Sequence, residues 1–155
     1  MAKSVTYIWS VPTYLVLHLS RFEYVTRDQL QGMDFNFDSR KRKVGAKVMF
    51  PIHDLDISEY MHPDAKQEGE DYRYDLIAVC NHMGNADCGH YVAFCRDEND
   101  GQSKWFTYDD DYVYEMEEKD IVTENAYMLV YQRKSKATCS SLDVINMLKK
   151  MKEEA

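Results

Sequence analysis

Two neighbouring stretches decide the fold, CGHYVAFCR at 88–96 and KWFTYDDD at 104–111. Each contains an apolar and aromatic run of strand length. Between them, residues 97–101 read Asp-Glu-Asn-Asp-Gly, which is a strong signal for a hairpin turn. The pattern therefore predicts two antiparallel strands, at 90–96 and 104–108, joined by a short turn.

This hairpin would bring together two side chains that are 19 residues apart. His90 begins the first strand and Asp109 ends the second, so the two can lie within hydrogen-bond reach. A carboxylate in that position fixes the tautomer of an imidazole, as a thiol or hydroxyl nucleophile requires of its base. Gly89 removes a side chain where a substrate backbone could come close. A core histidine followed by aspartates that end a hairpin is the alternative, and the residues alone do not decide between the two.

Further strands and short helices are predicted along the chain. The segment 14–19 has the apolar run of a buried strand, and 72–83 alternates so that Tyr72, Tyr74, Leu76, Ala78 and Cys80 share one face. Other strands are predicted at 44–50, 112–116 and 126–132, single helical turns at 56–60 and 117–122, and an exposed loop or hairpin at 26–43. The fold class is therefore α+β, mostly antiparallel β-sheet.

The last twenty residues differ in character from the rest. Leu142, Ile145, Leu148 and Met151 recur at helical spacing after a serine pair that can cap a helix. We expect one domain over 1–135, followed by a linker and an amphipathic helix over 136–155.

Composition excludes several classes of protein. A net charge of −8 argues against a nucleic-acid partner, whose phosphates would be repelled. No stretch has the roughly 20 apolar residues of a membrane span, and the N-terminus is too polar for a secretory signal. The cysteines lack the paired C-x-x-C spacing of a zinc site, so we expect no metal and reduced thiols in a cytoplasmic or nuclear protein. They are Cys80, Cys88, Cys95 and Cys139.

Residues 9–133 contain an ordered set of motifs. They are WSVP at 9–12, LVLHLSRF at 15–22, FP at 50–51, YDLIAV at 74–79, NH at 81–82, GHY at 89–91, YDD at 108–110 and AYMLVYQR at 126–133. A lone GHY would be a weak signal, whereas this ordered set is specific. It resembles the C-terminal half of a ubiquitin-specific protease catalytic domain, a papain-like deubiquitinase.

The resemblance implies a fold and a set of roles. The fold would be the palm of a palm–thumb–fingers architecture. His90 matches the general base, Asp109 matches the residue that orients it, and Asp110 is the second choice for that role. The loop 82–88 matches one that gates the channel for ubiquitin's C-terminal tail, and 26–43 matches another. Candidate substrate-binding residues there are His82, Gly89 and Tyr91.

Some features depart from the family pattern. Ser20 stands where lysine is usual, Cys88 where a second glycine is common, and Tyr108 where phenylalanine is usual. The family's nucleophilic cysteine and N-terminal half have no match in this chain, and none of its four cysteines is expected to act as the nucleophile.

The resemblance therefore implies part of a thiol-dependent enzyme that hydrolyses the bond after ubiquitin's C-terminal glycine without a cofactor. Its expected partners are ubiquitin, ubiquitinated proteins and the N-terminal half of the same catalytic domain, and this chain alone should be inactive. The alternative is a catalytically inactive ubiquitin-binding or scaffolding module. The presence of both His90 and Asp109 argues against it.

Overall fold

The computed structural model describes residues 4–24, 41–86, 88–98 and 103–134. The predicted helix at 136–155, the domain boundary before it and most of the predicted loop 26–43 lie outside the described residues.

Nine strands are formed by the described residues, and most of them belong to one antiparallel sheet. Seven strands make this sheet, in the order β1-β9-β5-β6-β7-β8, with β4 pairing with β5. The strands β2 and β3 pair separately. The bounds are β1 Tyr14–His18, β2 Phe22–Tyr24, β3 Lys41–Lys43, β4 Leu55–Asp56, β5 Arg73–Gly84, β6 Gly89–Asp97, β7 Lys104–Asp109, β8 Tyr112–Met116 and β9 Ala126–Arg133.

The helical content is limited to short 3₁₀ turns at Ser58–Tyr60, Pro63–Ala65 and Glu118–Asp120 in the described ranges. The first and last of these confirm the helical turns expected from the sequence. The Asp56 carboxylate accepts a hydrogen bond from the backbone N–H of Ser58 at 2.8 Å, ahead of the first turn. The mostly antiparallel β fold is thus confirmed.

The prediction of a strand at 44–50 is wrong. The structure describes all of these residues, and they form no strand. Two of their carbonyls, those of Val44 and Ala46, instead accept hydrogen bonds from the Arg21 guanidinium at 3.0 and 2.6 Å. A side chain distant in sequence thus takes the acceptors that a sheet ladder would use.

The expectation that β1 is buried is also wrong. Its strand assignment holds, but Tyr14, Val16 and Leu17 are exposed. The strand pairs only with β9 among the described elements and therefore lies at the edge of the sheet. Apolar strand composition does not distinguish a central strand from an edge strand.

The alternation predicted along β5 breaks at its middle. Tyr74 and Leu76 are buried as expected, but the next buried residue is Val79 rather than Ala78. The register against β9 shifts between Leu76 and Ala78, as a β-bulge produces. An inserted residue changes which face the following side chains occupy, and Asn81 is consequently buried too.

The core packs against β5, β7 and β9. Two tyrosines within it bind backbone carbonyls through their hydroxyls: Tyr74 donates to Pro12 at 2.6 Å and Tyr131 to Pro51 at 2.7 Å. Burial raises the pKa of Tyr131 to about 12, so its hydroxyl stays protonated. Among the described residues, the completely buried side chains are Tyr74, Leu76, Val79, Ile121, Ala126 and Tyr131. The described residues form no helix with the length and apolarity of a membrane span.

Candidate functional site

The predicted pairing of His90 with Asp109 is present in the structure. Strands β6 and β7 are antiparallel neighbours, with Ala93 opposite Tyr108. This register brings the start of β6 beside the end of β7, and His90 Nε2 lies 2.5 Å from Asp109 Oδ1. Their side chains are 42% and 37% exposed, respectively, so the pair is open to a reacting group.

The carboxylate raises the pKa of His90 above its ordinary value. The hydrogen bond to Asp109 is the largest cause, partial burial opposes it, and the charges of Asp109 and Asp110 add to it. Because Nε2 is engaged with the carboxylate, Nδ1 is the ring nitrogen left to exchange a proton with a nucleophile. Chemically, the pair can act as a base that is stabilised once protonated.

Asp110 occupies the turn between β7 and β8 and has a positive φ of 48°. Aspartate tolerates this left-handed conformation better than most residues. One ligand atom from each of His90, Asp109 and Asp110 lies within 4.8 Å of the others. Histidine nitrogen with two carboxylate oxygens is a donor set that suits a divalent cation. A cation there would compete with the hydrogen bond between His90 and Asp109.

His82 lies on β5, within the strand predicted at 72–83, and not in the loop 82–88 that the resemblance implied. Its side chain is buried, with 4% exposed, and it contacts the aromatic rings of Phe22 and Tyr91. Burial and the nearby Lys43 cation lower the pKa of His82. The structure thus brings His82 near the His90 strand but beneath the surface, whereas Tyr91 is 54% exposed and accessible to a ligand.

The loop between β5 and β6 is shorter than predicted, because β5 continues to Gly84 and β6 begins at Gly89. Its ends are joined by a hydrogen bond from the Asn85 N–H to the Cys88 carbonyl at 3.0 Å. The Asn85 side chain accepts in turn from the Cys88 N–H at 2.9 Å. Gly84 has a φ of 112°, which side chains other than glycine rarely adopt.

Sequence reasoning missed two basic residues beside the site. Lys43 Nζ donates to the His82 carbonyl at 2.5 Å, and Arg21 Nε donates to the Ala126 carbonyl at 2.6 Å. For Arg21 the signal was its position in the LVLHLSRF motif. Lys43 lies 39 residues from His82 in the sequence. The basic run 40–43, to which Lys43 belongs, gave no indication of this contact.

The described cysteines differ in environment. Burial raises the pKa of the thiols of Cys80 and Cys95, which makes both poor nucleophiles. Cys88 is exposed in the turn before His90. Cys139 lies outside the described residues.

We expect Asp109→Asn to destabilise the fold most at acidic pH. The raised pKa of His90 means that the folded protein binds this proton more tightly than the unfolded chain does. The resulting stabilisation is fully present below the unfolded value of 6.5 and is lost as the pH rises through the higher folded value. Thermal unfolding at about pH 5.5 and about pH 9 should therefore show the larger decrease in the melting temperature of the variant at the lower pH.

Asp110→Asn is the matched control, since asparagine also tolerates the turn conformation. Asp110 affects His90 through charge alone, so its variant should show a smaller loss at low pH. Equal losses for Asp109→Asn at both pH values would contradict the expected linkage.

Comparison with known proteins identifies the family to which the chain belongs. The family model described as "Ubiquitin carboxyl-terminal hydrolase" matches residues 3–131. Human "Ubiquitin carboxyl-terminal hydrolase 15" is 42% identical over 129 residues, covering 81% of this chain and 11% of the relative. "Ubiquitin carboxyl-terminal hydrolase 10" of Arabidopsis thaliana is 38% identical over 128 residues, covering 81% of this chain and 12% of the relative. The chain therefore spans only a small part of the length of these curated relatives.

Solved structures give the same result. The "SAGA Ubp8/Sgf11/Sus1/Sgf73 DUB module bound to ubiquitin aldehyde" matches with a TM-score of 0.62 and 28% identity, over 81% of this chain and 25% of that chain. The Ubp8-Sgf11-Sgf73-Sus1 SAGA DUB module matches with a TM-score of 0.63 and 28% identity, over 83% of this chain and 26% of that chain. These matches confirm the predicted fold as that of ubiquitin-specific protease catalytic domains, and the chain belongs to the ubiquitin carboxyl-terminal hydrolase family.

Proposed function

We propose that this chain supplies the general base and its orienting carboxylate to a cysteine-type ubiquitin hydrolase. His90 is the base and Asp109 orients it, and the nucleophilic cysteine lies outside this chain. The observation that carries the proposal is the 2.5 Å contact between His90 Nε2 and Asp109 Oδ1, which leaves Nδ1 for the nucleophile.

The proposed reaction divides into two acyl-transfer steps. The thiol proton moves to His90 Nδ1, and the thiolate attacks the carbonyl of ubiquitin's C-terminal glycine. The protonated imidazole then donates its proton to the leaving lysine amine as the carbon–nitrogen bond breaks. In the second step His90 accepts a proton from water, the hydroxide attacks the thioester, and the thiol is regenerated. Asp109 stabilises the imidazolium formed in each step.

Ubiquitin is the proposed substrate. One of the solved neighbours is bound to ubiquitin aldehyde. Exposed aromatic side chains lie on the strands that carry the pair, among them Tyr91 on β6 and Tyr108 on β7. The net charge of −8 suits the basic tail of ubiquitin, whose arginines can pair with carboxylates.

The cysteines of the described residues support an external nucleophile. Cys80 and Cys95 have raised pKa values, so little thiolate forms. Cys88 lies only two residues before His90, in the bend that leads into β6, a separation too short for an in-line proton transfer between them.

The test uses ubiquitin with a C-terminal thiol-reactive group, with intact mass as the measurement. We expect no adduct on this chain alone, checked as folded by circular dichroism. We expect one adduct on a fusion in which this chain replaces the matching segment of human ubiquitin carboxyl-terminal hydrolase 15. An adduct on this chain alone, lost in Cys88→Ser, would place the nucleophile here and overturn the proposal. A folded fusion that gives no adduct would also overturn it.

A further inference from the structure

We propose that His82 is a positioning residue, whose buried ring fixes the backbone that presents His90 to Asp109. The inference rests on the proposed role of His90 and gives His82 a task other than substrate contact. Three independent contacts of the His82 side chain and backbone carry it.

The first contact is between the His82 ring and Gly89. A Cβ placed on Gly89 would lie 2.2 Å from His82 Nε2 and 2.5 Å from the Met83 carbonyl oxygen. Real Cβ atoms do not approach that closely, so the absence of a side chain at Gly89 is a steric requirement of this ring. Because Gly89 immediately precedes His90, the ring lies directly under the backbone that carries the base.

The second contact holds the backbone of His82 from both sides. Its N–H donates to the Asn125 carbonyl at 2.9 Å, just before β9 begins. Its carbonyl accepts from Lys43 Nζ at 2.5 Å, and Lys43 ends β3. These bonds tie β5 to the residue before β9 and to the separate β2–β3 pair.

The third contact is a cluster of aromatic rings around the imidazole. The ring centroid of His82 lies 5.3 Å from that of Phe22, 4.9 Å from that of Tyr91 and 6.1 Å from that of Tyr127. These distances fall in the range of favourable aromatic pairs. The rings come from β2, β6 and β9, so a shift of the imidazole would disturb its packing against three strands at once.

The two histidines differ in the charge that their surroundings favour. Burial and the Lys43 cation disfavour the charged form of His82, whereas Asp109 favours that of His90. His82 is thus a neutral structural ring next to a base that must gain a proton. Such opposed environments are a recurring way of separating the roles of two titratable groups.

The test is Gly89→Ala in this chain, with histidine labelled by ¹³C and ¹⁵N and the ring signals followed by NMR against pH. The added methyl group must displace the His82 ring, the Met83 carbonyl or the Gly89 backbone. We expect the pKa of His90 to fall toward its ordinary value of 6.5, and its preference for the Nε2–H tautomer to weaken.

Two controls separate positioning from loss of stability. Gly45→Ala makes the same substitution where a new Cβ would meet nothing within 4 Å, and should leave His90 unchanged. Val79→Ala changes a completely buried residue of β5, the strand that carries His82, at a site away from the imidazole. It should lower the melting temperature without moving the pKa of His90.

His82→Gln supplies a second variant should Gly89→Ala fail to fold, since it removes the ring without adding bulk. It too should lower the pKa of His90, and the double variant should shift it by less than the sum of the two. An unchanged His90 titration in either folded variant overturns the inference. Because this readout needs no nucleophile, it is independent of the adduct test, whose failure would instead overturn the proposed function.

Discussion

His90→Asn is expected to slow ubiquitin hydrolysis by about 10²–10⁴-fold in the fusion described above. Asparagine retains a polar side chain of similar size but cannot accept and return a proton. The Asp109 carboxylate then has no imidazolium to stabilise, although the surrounding strands are unchanged. The measurement is kcat/KM for ubiquitin carrying a fluorogenic C-terminal amide.

The control for this prediction is His53→Asn. His53 is an exposed histidine that also contacts a carboxylate, with Nε2 3.1 Å from both oxygens of Glu118. It therefore matches His90 in type and in partner but belongs to a different part of the surface, and its loss should leave kcat/KM unchanged. If His90→Asn retained the parent rate, the general-base role would be excluded and the non-catalytic binding module would become the better interpretation.

The hairpin that carries the candidate site could be predicted because its determinants are local. The turn signal at 97–101 and the strand runs on either side fix which residues of β6 and β7 face each other. Once that pairing is set, the approach of His90 to Asp109 follows from antiparallel geometry. The chemical role did not follow from these residues alone, because a core histidine fits the same pattern. The resemblance to a family was needed to favour catalysis.

The errors arose where distant parts of the chain decide the local structure. Residues 44–50 alternate in sequence like a strand, but the Arg21 guanidinium binds two of their carbonyls. The bulge in β5 reflects pairing with β9, about 50 residues further along, and moves burial from Ala78 to Val79. The resemblance placed His82 in a gating loop, although the predicted strand 72–83 also contains it. The neighbours that bury it come from β2, β3 and β9, which sequence periodicity does not place.

Arg21→Ala is expected to destabilise the fold by about 3–5 kcal/mol. Arg21 is only 3% exposed, and its guanidinium donates to three backbone carbonyls, those of Val44, Ala46 and Ala126. Removing it leaves these acceptors without their donors, at a cost of about 1–3 kcal/mol for each that stays buried. It also detaches the irregular segment after β3 from the start of β9. Thermal unfolding should show a melting temperature lower on the order of 10 °C.

Arg42→Ala is the matched control because it removes the same side chain from an exposed position. Arg42 is 68% exposed and pairs with Glu23 across β2 and β3, a type of surface ion pair worth at most about 1 kcal/mol. Similar decreases in melting temperature for the two variants would mean that the carbonyls around Arg21 find water or other donors once the side chain is removed. A large loss for Arg21→Ala alone would instead show that this buried arginine joins the 44–46 segment to the strand next to His82. The strands that support the candidate site would then depend on a residue that makes no contact with His90.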